Sequence, residues 1–243
     1  MPMQYRPAHG QRLSLDAAGT AVAPQVAGRE PAYKRPFDLL VVTSAHLLLL
    51  PLWLLLWTLI PFGIWIEDRG PILYTQRRVG KAGRVFRAFK FRTMVRDADR
   101  IGGPVTTNND PRLTRFGKLI RATALDELPQ VINIARGDMS FVGPRALAEA
   151  EYNALVDQEP LFAQRVRVRP GLTGLAQVYT RRDDNAAKLA ADLDYISRMS
   201  LWLDVKLIFL SVWTTLHAKW ESRIEKEGVL VGRHDAGSRG RGD

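Results

Sequence analysis

The sequence contains no cysteine and only four histidines among its 243 residues. Disulfide bonds and thiolate metal sites are therefore excluded. Acidic residues are also scarce, because 25 Asp and Glu stand against 35 Lys and Arg and leave a net charge of +10. The remaining balance, with 46% hydrophobic and 25% charged residues, is typical of a folded protein with a packed core.

The excess positive charge lies in one stretch, residues 69–121. Fourteen Lys and Arg stand there against three Asp, a local net charge of +11, so the rest of the chain is nearly neutral. Such an excess predicts an anionic partner, which can be nucleic acid, lipid headgroups or a phosphorylated substrate. No nucleic-acid recognition motif accompanies it, and an apolar segment precedes it, so nucleic acid is not the expected partner.

Residues 37–66 have the composition of a membrane segment, with Asp38 as the only formal charge. A single helix of this length would extend about 45 Å, against a hydrocarbon core of about 30 Å. Pro51 lies near its middle, where proline kinks or breaks a helix. Basic residues flank both ends, so neither end is marked as the outer one. A tilted single span and a re-entrant helix broken at Pro51 both stay open.

The patterns predict an α+β fold that is mainly helical and membrane-associated, with a small β-hairpin around Gly80 and Gly83. Residues 113–135 have helical spacing, and Pro129 should split that helix just after Asp126 and Glu127. Residues 201–216 are too short and too polar to span a membrane, which favours a helix in the interface or packed on the first segment. The predicted divisions are a disordered tail (1–32), a membrane-inserted segment (33–68), a main domain (69–218) and a C-terminal tail (219–243).

Asp126 and Glu127 are adjacent carboxylates in an apolar stretch and the leading candidates for chemistry. A bare pair would repel and raise one pKa, whereas a divalent cation or basic neighbours would keep both ionised. Arg121 precedes the pair, and Arg145 follows it in a Gly-Pro-Arg loop. Guanidinium groups bind phosphate oxygens, and Mg2+ suits carboxylates that face a phosphorylated substrate. Further candidates for contacts with phosphates or lipid headgroups are Lys90 and Arg92.

Three sequence blocks resemble the ordered signatures of the bacterial sugar transferases, which are the monotopic phosphoglycosyl transferases that begin lipid-linked glycan assembly. The blocks are "KFRTM" (90–94), "DPRLTRFGKLIRATALDELPQVINIARGDMSFVGPR" (110–145) and "RPGLTGLAQV" (169–178). The resemblance runs from about residue 34 to residue 216. Several long blocks in the right order are far more specific than any one of them.

The resemblance implies an enzyme, a phosphoglycosyl transferase. It would move a sugar 1-phosphate from a nucleoside diphosphate sugar, usually a UDP-sugar, to a polyprenyl phosphate such as undecaprenyl phosphate, and release UMP. The family's nucleophile falls on Asp126, which would form a covalent aspartyl-phosphosugar intermediate. The family's Mg2+-binding Glu falls on Glu127, and its phosphate-binding arginines fall on Arg121 and Arg145. A re-entrant helix broken near a proline fits Pro51.

The same resemblance implies a place in the cell. The enzyme would lie in the bacterial inner membrane, contact membrane lipids, and keep its catalytic domain on the cytoplasmic face. There it would perform the first membrane step of exopolysaccharide, capsule or glycoconjugate synthesis.

Two positions depart from the family pattern. Ala146 stands where proline usually follows the Gly-Pro-Arg motif, and Tyr179-Thr180-Arg181 stands where Asn-Gly-Arg is common. The second loop is a candidate for sugar selection, so the transferred sugar is not implied. An alternative is a non-catalytic membrane adaptor of glycan assembly, which would tolerate loss of Asp126, Glu127 and Arg145. The sequence leaves a homo-oligomer open.

Overall fold

The computed structural model describes residues 14–15, 21–22, 29–102, 110–180 and 184–215. The helices are α1 Lys34–Leu48, α2 Leu50–Glu67, α3 Ala98–Ile101, α4 Arg115–Ala122, α5 Gln130–Arg136, α6 Glu149–Gln158, α7 Leu175–Tyr179, α8 Asn185–Arg198 and α9 (201–215). The 3-10 helices are Lys81–Gly83, Leu125–Glu127 and Pro160–Arg167. The strands are β1 Ser14–Leu15, β2 Ala21–Val22, β3 Leu73–Val79, β4 Val85–Phe91, β5 Ser140–Val142 and β6 Gly171–Thr173. The C-terminal tail (219–243) and most of the N-terminal tail (1–32) lie outside the described residues.

The mainly helical fold and the small hairpin are confirmed. Strands β3 and β4 pair antiparallel, with Leu73 opposite Phe91 and Val79 opposite Val85. The chain reverses where Ala82 and Gly83 adopt left-handed backbone angles, with φ of 57° and 75°. A β-hairpin turn needs such angles, and glycine adopts them without steric cost.

The apolar segment forms two helices, because α1 ends at Leu48 and α2 begins at Leu50. Pro51 lies in the first turn of α2, where a missing N–H costs no hydrogen bond. The Trp53 ring stacks on His46 at 4.2 Å, and its N–H donates to the Ala45 carbonyl at 3.0 Å. Helix α2 has 18 residues and is long and apolar enough to cross a membrane, by length and composition only. The predicted break near the proline is confirmed.

Both ends of the α1–α2 segment contact the domain that follows it. At the start, Arg35 donates to the carbonyls of Ile134 and Ala135 at 2.5 and 2.6 Å, which satisfies the C-terminal end of α5. At the end, the Glu67 carboxylate accepts the backbone N–H groups of Arg115 and Phe116 at 2.6 and 2.9 Å, which caps the N-terminus of α4. The segment therefore caps a helix on each side of the turn that carries Asp126.

A buried polar network fixes the start of α1. The Lys34 ammonium donates to Asp204 at 3.0 Å, to the Tyr195 hydroxyl at 3.0 Å and to the Val142 carbonyl at 2.7 Å. One turn later, Asp38 accepts a hydrogen bond from the Ser140 hydroxyl at 2.9 Å. These bonds tie α1 to β5 and to α9, and they give partners to the buried Lys34 ammonium and to one oxygen of the buried Asp38 carboxylate.

The predicted helix at 113–135 breaks earlier than expected. Helix α4 ends at Ala122, and Ala124 adopts a left-handed conformation with φ of 55°. Residues Leu125–Glu127 then form one 3-10 turn, and α5 starts only after Pro129. The carboxylates therefore lie on a tight turn between two helices, because the first helix ends before the chain reaches the proline.

Helix α9 packs one face on the domain and exposes the other. Asp204 and Leu207 are fully buried, and Leu207 joins a hydrophobic cluster with residues of β5 and α8. The opposite face exposes Trp202, Phe209 and Trp213. An apolar exposed face on a packed helix agrees with the prediction of a helix at a membrane interface.

Replacing Lys34 by Met should destabilise the protein by about 3–5 kcal/mol, because it leaves the Asp204 carboxylate buried without its cation. Thermal unfolding in detergent measures the effect. The control is Lys206→Met, which removes an exposed lysine from the same helix, α9. Equal melting temperatures for the two variants would contradict the prediction.

Candidate active site

The 3-10 turn determines how the two carboxylates are presented. Successive side chains of a 3-10 helix point about 120° apart. The Asp126 side chain is turned inward and is only 7% exposed, whereas that of Glu127 is 23% exposed. One carboxylate is thus shielded from water while its neighbour faces the surrounding cations.

Lys90 of β4 contacts both carboxylates. Its ammonium donates to Glu127 Oε1 at 2.6 Å and lies 3.9 Å from Asp126 Oδ2. Phe91, the next residue, packs in a hydrophobic cluster with Ile60 and Ile120, which fixes β4 between α2 and α4. The structure therefore brings together Lys90, Asp126 and Glu127. The sequence offered Lys90 only as a contact for phosphates or lipid headgroups, and that role stays a prediction.

Arg145 reaches the same carboxylate from a loop after β5. Its guanidinium lies 3.8 Å from Glu127 Oε1 and is 49% exposed, so it can still meet a ligand. Gly143 permits this loop, because a Cβ there would lie 2.5 Å from the Arg169 carbonyl. A Cβ on Gly171 or Gly174 would in turn collide with the backbone of Gly143. The loop and the "RPGLTG" segment interlock through glycines.

The other two predicted residues differ in their placement. Arg121 lies close enough to Asp126 for its charge to lower the pKa of that carboxyl. Arg92 makes its contacts with Asp68 at the end of α2, through a hydrogen bond to the Asp68 carbonyl and an ion pair at 3.6 Å. The structure does not join Arg92 to the carboxylate pair, and its role in binding stays a prediction.

The two carboxyl groups have opposite pKa shifts. Burial raises the pKa of Asp126, and the charges of Lys90 and Arg121 oppose this only in part. Burial also acts to raise the pKa of Glu127, yet Lys90 and Arg145 outweigh it, so that this pKa is lowered. Glu127 is therefore held ionised, whereas Asp126 is a poorly solvated carboxylate.

The pair suits a magnesium ion that arrives with a phosphorylated substrate. Among residues 29–102, 110–180 and 184–215, no cluster of three or more Asp, Glu or His could hold a metal by itself. Mg2+ is usually bound by one or two carboxylates together with substrate phosphates. The ionised Glu127 beside Asp126 fits that donor set.

A match to known proteins identifies the family. The model of the family described as bacterial sugar transferase matches residues 29–218. The chain belongs to the bacterial sugar transferase family. The resemblance seen in the three sequence blocks is therefore confirmed.

Relatives of this sugar transferase have named activities or pathways. Undecaprenyl-phosphate glucose phosphotransferase of Komagataeibacter xylinus is 43% identical over 189 residues, 74% of this chain and 35% of that protein. UDP-N-acetylgalactosamine-undecaprenyl-phosphate N-acetylgalactosaminephosphotransferase of Aeromonas hydrophila is 40% identical over 191 residues, 75% of this chain and 43% of that protein. Exopolysaccharide production protein ExoY of Rhizobium meliloti is 38% identical over 195 residues, 74% of this chain and 83% of that protein. The aligned part spans less than half of the first two relatives.

Sequence reasoning missed Arg78 of this sugar transferase, which it counted only as one basic residue among many. Burial and the charge of Arg145 lower the pKa of Arg78, while the charge of Glu127 opposes them, so all three groups lie close together. Strand alternation was the available signal. Arg78 is two residues from Gln76 and four from Tyr74, and Tyr74 pairs with Lys90, so all share one face of the hairpin.

Two buried residues of α8 support the site from behind. Asp192 binds the Arg165 guanidinium at 2.7 Å, and Arg165 also donates to the Arg145 carbonyl at 3.1 Å. Tyr195 donates to Asp204 at 2.6 Å. Both residues are about 1% exposed, so their contacts are those of structural residues.

Replacing Lys90 by Met should raise the pKa of Glu127, because burial would remain while the cation hydrogen-bonded to its carboxylate is lost. Glu127 would then keep its proton to higher pH. Carbon-13 NMR titration of labelled glutamate carboxyls measures this, with Glu127→Gln used to identify the signal. The control is Lys118→Met on the exposed face of α4. An unchanged Glu127 titration in Lys90→Met would contradict the prediction.

Proposed function

We propose that this protein transfers a sugar 1-phosphate from a UDP-sugar to undecaprenyl phosphate, releases UMP, and forms a covalent intermediate on Asp126. The observation that carries the proposal is a buried carboxylate, Asp126, beside an ionised Glu127 and surrounded by Lys90, Arg121 and Arg145. The names of the relatives from Komagataeibacter xylinus and Aeromonas hydrophila supply the substrate class.

In the first step, an Asp126 oxygen attacks the phosphorus that carries the sugar. A bond forms between that oxygen and phosphorus, and the bond to the bridging oxygen of the diphosphate breaks. UMP leaves with the electron pair. Burial of Asp126 favours this attack, because a poorly solvated carboxylate gives up little hydration when it forms the new bond.

In the second step, a phosphate oxygen of the lipid attacks the same phosphorus and Asp126 leaves as a carboxylate. The product is undecaprenyl diphosphate sugar. The covalent step lets the soluble donor and the membrane-bound acceptor use one site in turn. Neither step needs a histidine base, because both nucleophiles are already anions.

The cations around the turn neutralise the charge of the donor. Arg145 is half exposed and lies beside Glu127, so it can bind the diphosphate as the leaving UMP gains negative charge. Glu127 would hold Mg2+, with Asp126 beside it. When bound, Mg2+ polarises the phosphate oxygens and stabilises the leaving group. Lys90 keeps Glu127 ionised and available for this role.

We also propose that the α1–α2 segment is re-entrant and that the domain lies on the cytoplasmic face of the inner membrane. Support comes from the caps at both ends of the segment, Arg35 on α5 and Glu67 on α4. Glu30, before α1, also pairs with Lys81, which follows α2. If the α1–α2 segment crossed the membrane once, the bilayer would lie between its two ends and these contacts could not all form. Basic residues on both flanks agree with a cytoplasmic location for each.

Single cysteines test this topology cleanly, since the chain has none of its own. Arg29→Cys and Arg84→Cys place exposed thiols before α1 and after α2. A membrane-impermeant maleimide should label both from the cytoplasmic side of inverted vesicles and neither from the outer side of intact spheroplasts. Labelling of the two positions from opposite sides would establish a single span instead.

Asp126→Asn should abolish the covalent adduct and lower UMP release by at least about 10⁴-fold, because an amide is a very poor nucleophile. Mass spectrometry of peptides containing residue 126, after incubation with UDP-glucose or UDP-N-acetylgalactosamine alone, detects the adduct in the unmodified protein. Asp157→Asn on the exposed side of α6 is the control. Full activity in Asp126→Asn would reject the mechanism. Failure of the unmodified protein to release UMP from any member of a panel of UDP-sugars would favour the membrane adaptor.

A further inference from the structure

One face of the β-hairpin carries a row of polar side chains toward the carboxylate turn. Residues directly opposite each other in an antiparallel pair lie on the same face of the sheet. Tyr74 lies opposite Lys90, Gln76 opposite Ala88 and Arg78 opposite Phe86. Lys90 and Arg78 are therefore on one face, with Lys90 at the Asp126 end and Arg78 farther along.

The Arg78 guanidinium is oriented from two sides. Its Nε and Nη2 donate to the Gln76 side-chain oxygen at 3.2 and 2.9 Å. Its Nη1 donates to the Ala146 carbonyl at 2.6 Å. Ala146 follows Arg145 directly, so Arg78 holds the exit of the loop that presents Arg145.

Backbone contacts reinforce this hold. The Val79 N–H donates to the Leu147 carbonyl at 3.0 Å, and Arg78 forms an isolated bridge with Ala148. Residues 146–148 are thus an extension of the hairpin beside β3. The Gly-Pro-Arg loop is fixed at its start by β5 and β6 and at its end by β3.

The charges add a second effect. Arg78 and Arg145 repel each other, and each is attracted by Glu127. Arg78 is partly buried and held by three hydrogen bonds, whereas the Arg145 side chain is 49% exposed. Repulsion from the hydrogen-bonded Arg78 would disfavour orientations of the Arg145 side chain that approach it, and so favour those that face solvent and an incoming anion.

We propose that Arg78 is a positioning residue for Arg145, which directs the Arg145 guanidinium onto the diphosphate of a nucleoside diphosphate ligand. The inference deepens the proposed function, on which it rests for the class of ligand. Arg78 acts through the Ala146 carbonyl and through its charge, and Arg145 makes the contact with the phosphates.

Arg77 provides a matched control. It is the neighbouring arginine on β3, lies on the opposite face, and forms an exposed ion pair with Glu149 at 2.8 Å. Exposed pairs of this kind contribute little to stability. Arg77→Gln therefore removes the same charge from the same strand without touching the Arg145 loop.

The test measures the affinity of UDP for the full-length protein in detergent by titration calorimetry. Arg78→Gln should weaken UDP binding by about 10- to 100-fold, as expected for loss of charge-assisted hydrogen bonds, and Arg77→Gln should leave it unchanged. Arg78→Lys, which keeps the charge without the planar fork, should fall between them. If Arg78→Gln does not fold, the UDP affinity of Arg78→Lys tests the inference in its place.

A double-variant cycle separates positioning from general support of the fold. If Arg78 acts through Arg145, Arg78→Gln together with Arg145→Gln should bind UDP no more weakly than Arg145→Gln alone. Additive losses, or equal affinities for Arg78→Gln and Arg77→Gln, would overturn the inference. UDP binding that depends on Arg78 without any UMP release would reject the proposed reaction and keep the inference, whereas a protein that binds no UDP would reject both.

Discussion

The 2.6 Å bond between the Lys90 ammonium and Glu127 is the interaction on which the site depends. It joins the hairpin to the 3-10 turn, two elements far apart in the chain. The bond also helps to lower the pKa of Glu127, so that Glu127 stays ionised although burial opposes its charge. Asp126, whose burial is less fully compensated by the surrounding cations, has a raised pKa. Adjacent carboxyl groups of the same chemical type thus have opposite pKa shifts.

The apolar α1–α2 segment is part of the site's framework rather than an appendage. Arg35 satisfies the last carbonyls of α5, and Glu67 satisfies the first N–H groups of α4, so the turn between these helices is held at both ends. Lys34 and Asp38 bind Val142 and Ser140 of β5, directly before the Arg145 loop. Displacement of either helix of the segment would therefore shift the carboxylates or the arginine, because the segment directly contacts the elements that carry them.

Much of this arrangement could be predicted from the sequence. Glycines marked the hairpin, and Pro51 marked the break in the apolar segment. The acidic pair was conspicuous because it follows a stretch rich in Lys and Arg. The earlier helix break could not be predicted, because alanine rarely adopts the left-handed conformation that Ala124 takes under tertiary constraint. The place of Arg78 also depends on strand register, which composition does not reveal. The burial of Lys34 could not be predicted either, because its partner lies 170 residues away in the sequence.

The interlocked glycines at 143, 171 and 174 limit what sequence variation can reveal. Each lies against backbone with no room for a side chain, so every substitution there meets the same obstacle whatever its chemistry. Invariance in these blocks across relatives would reflect lack of space and would not by itself identify residues that touch substrate. The chemically informative comparison is at Ala146, the buried residue next to Arg145 whose carbonyl accepts the hydrogen bond from Arg78.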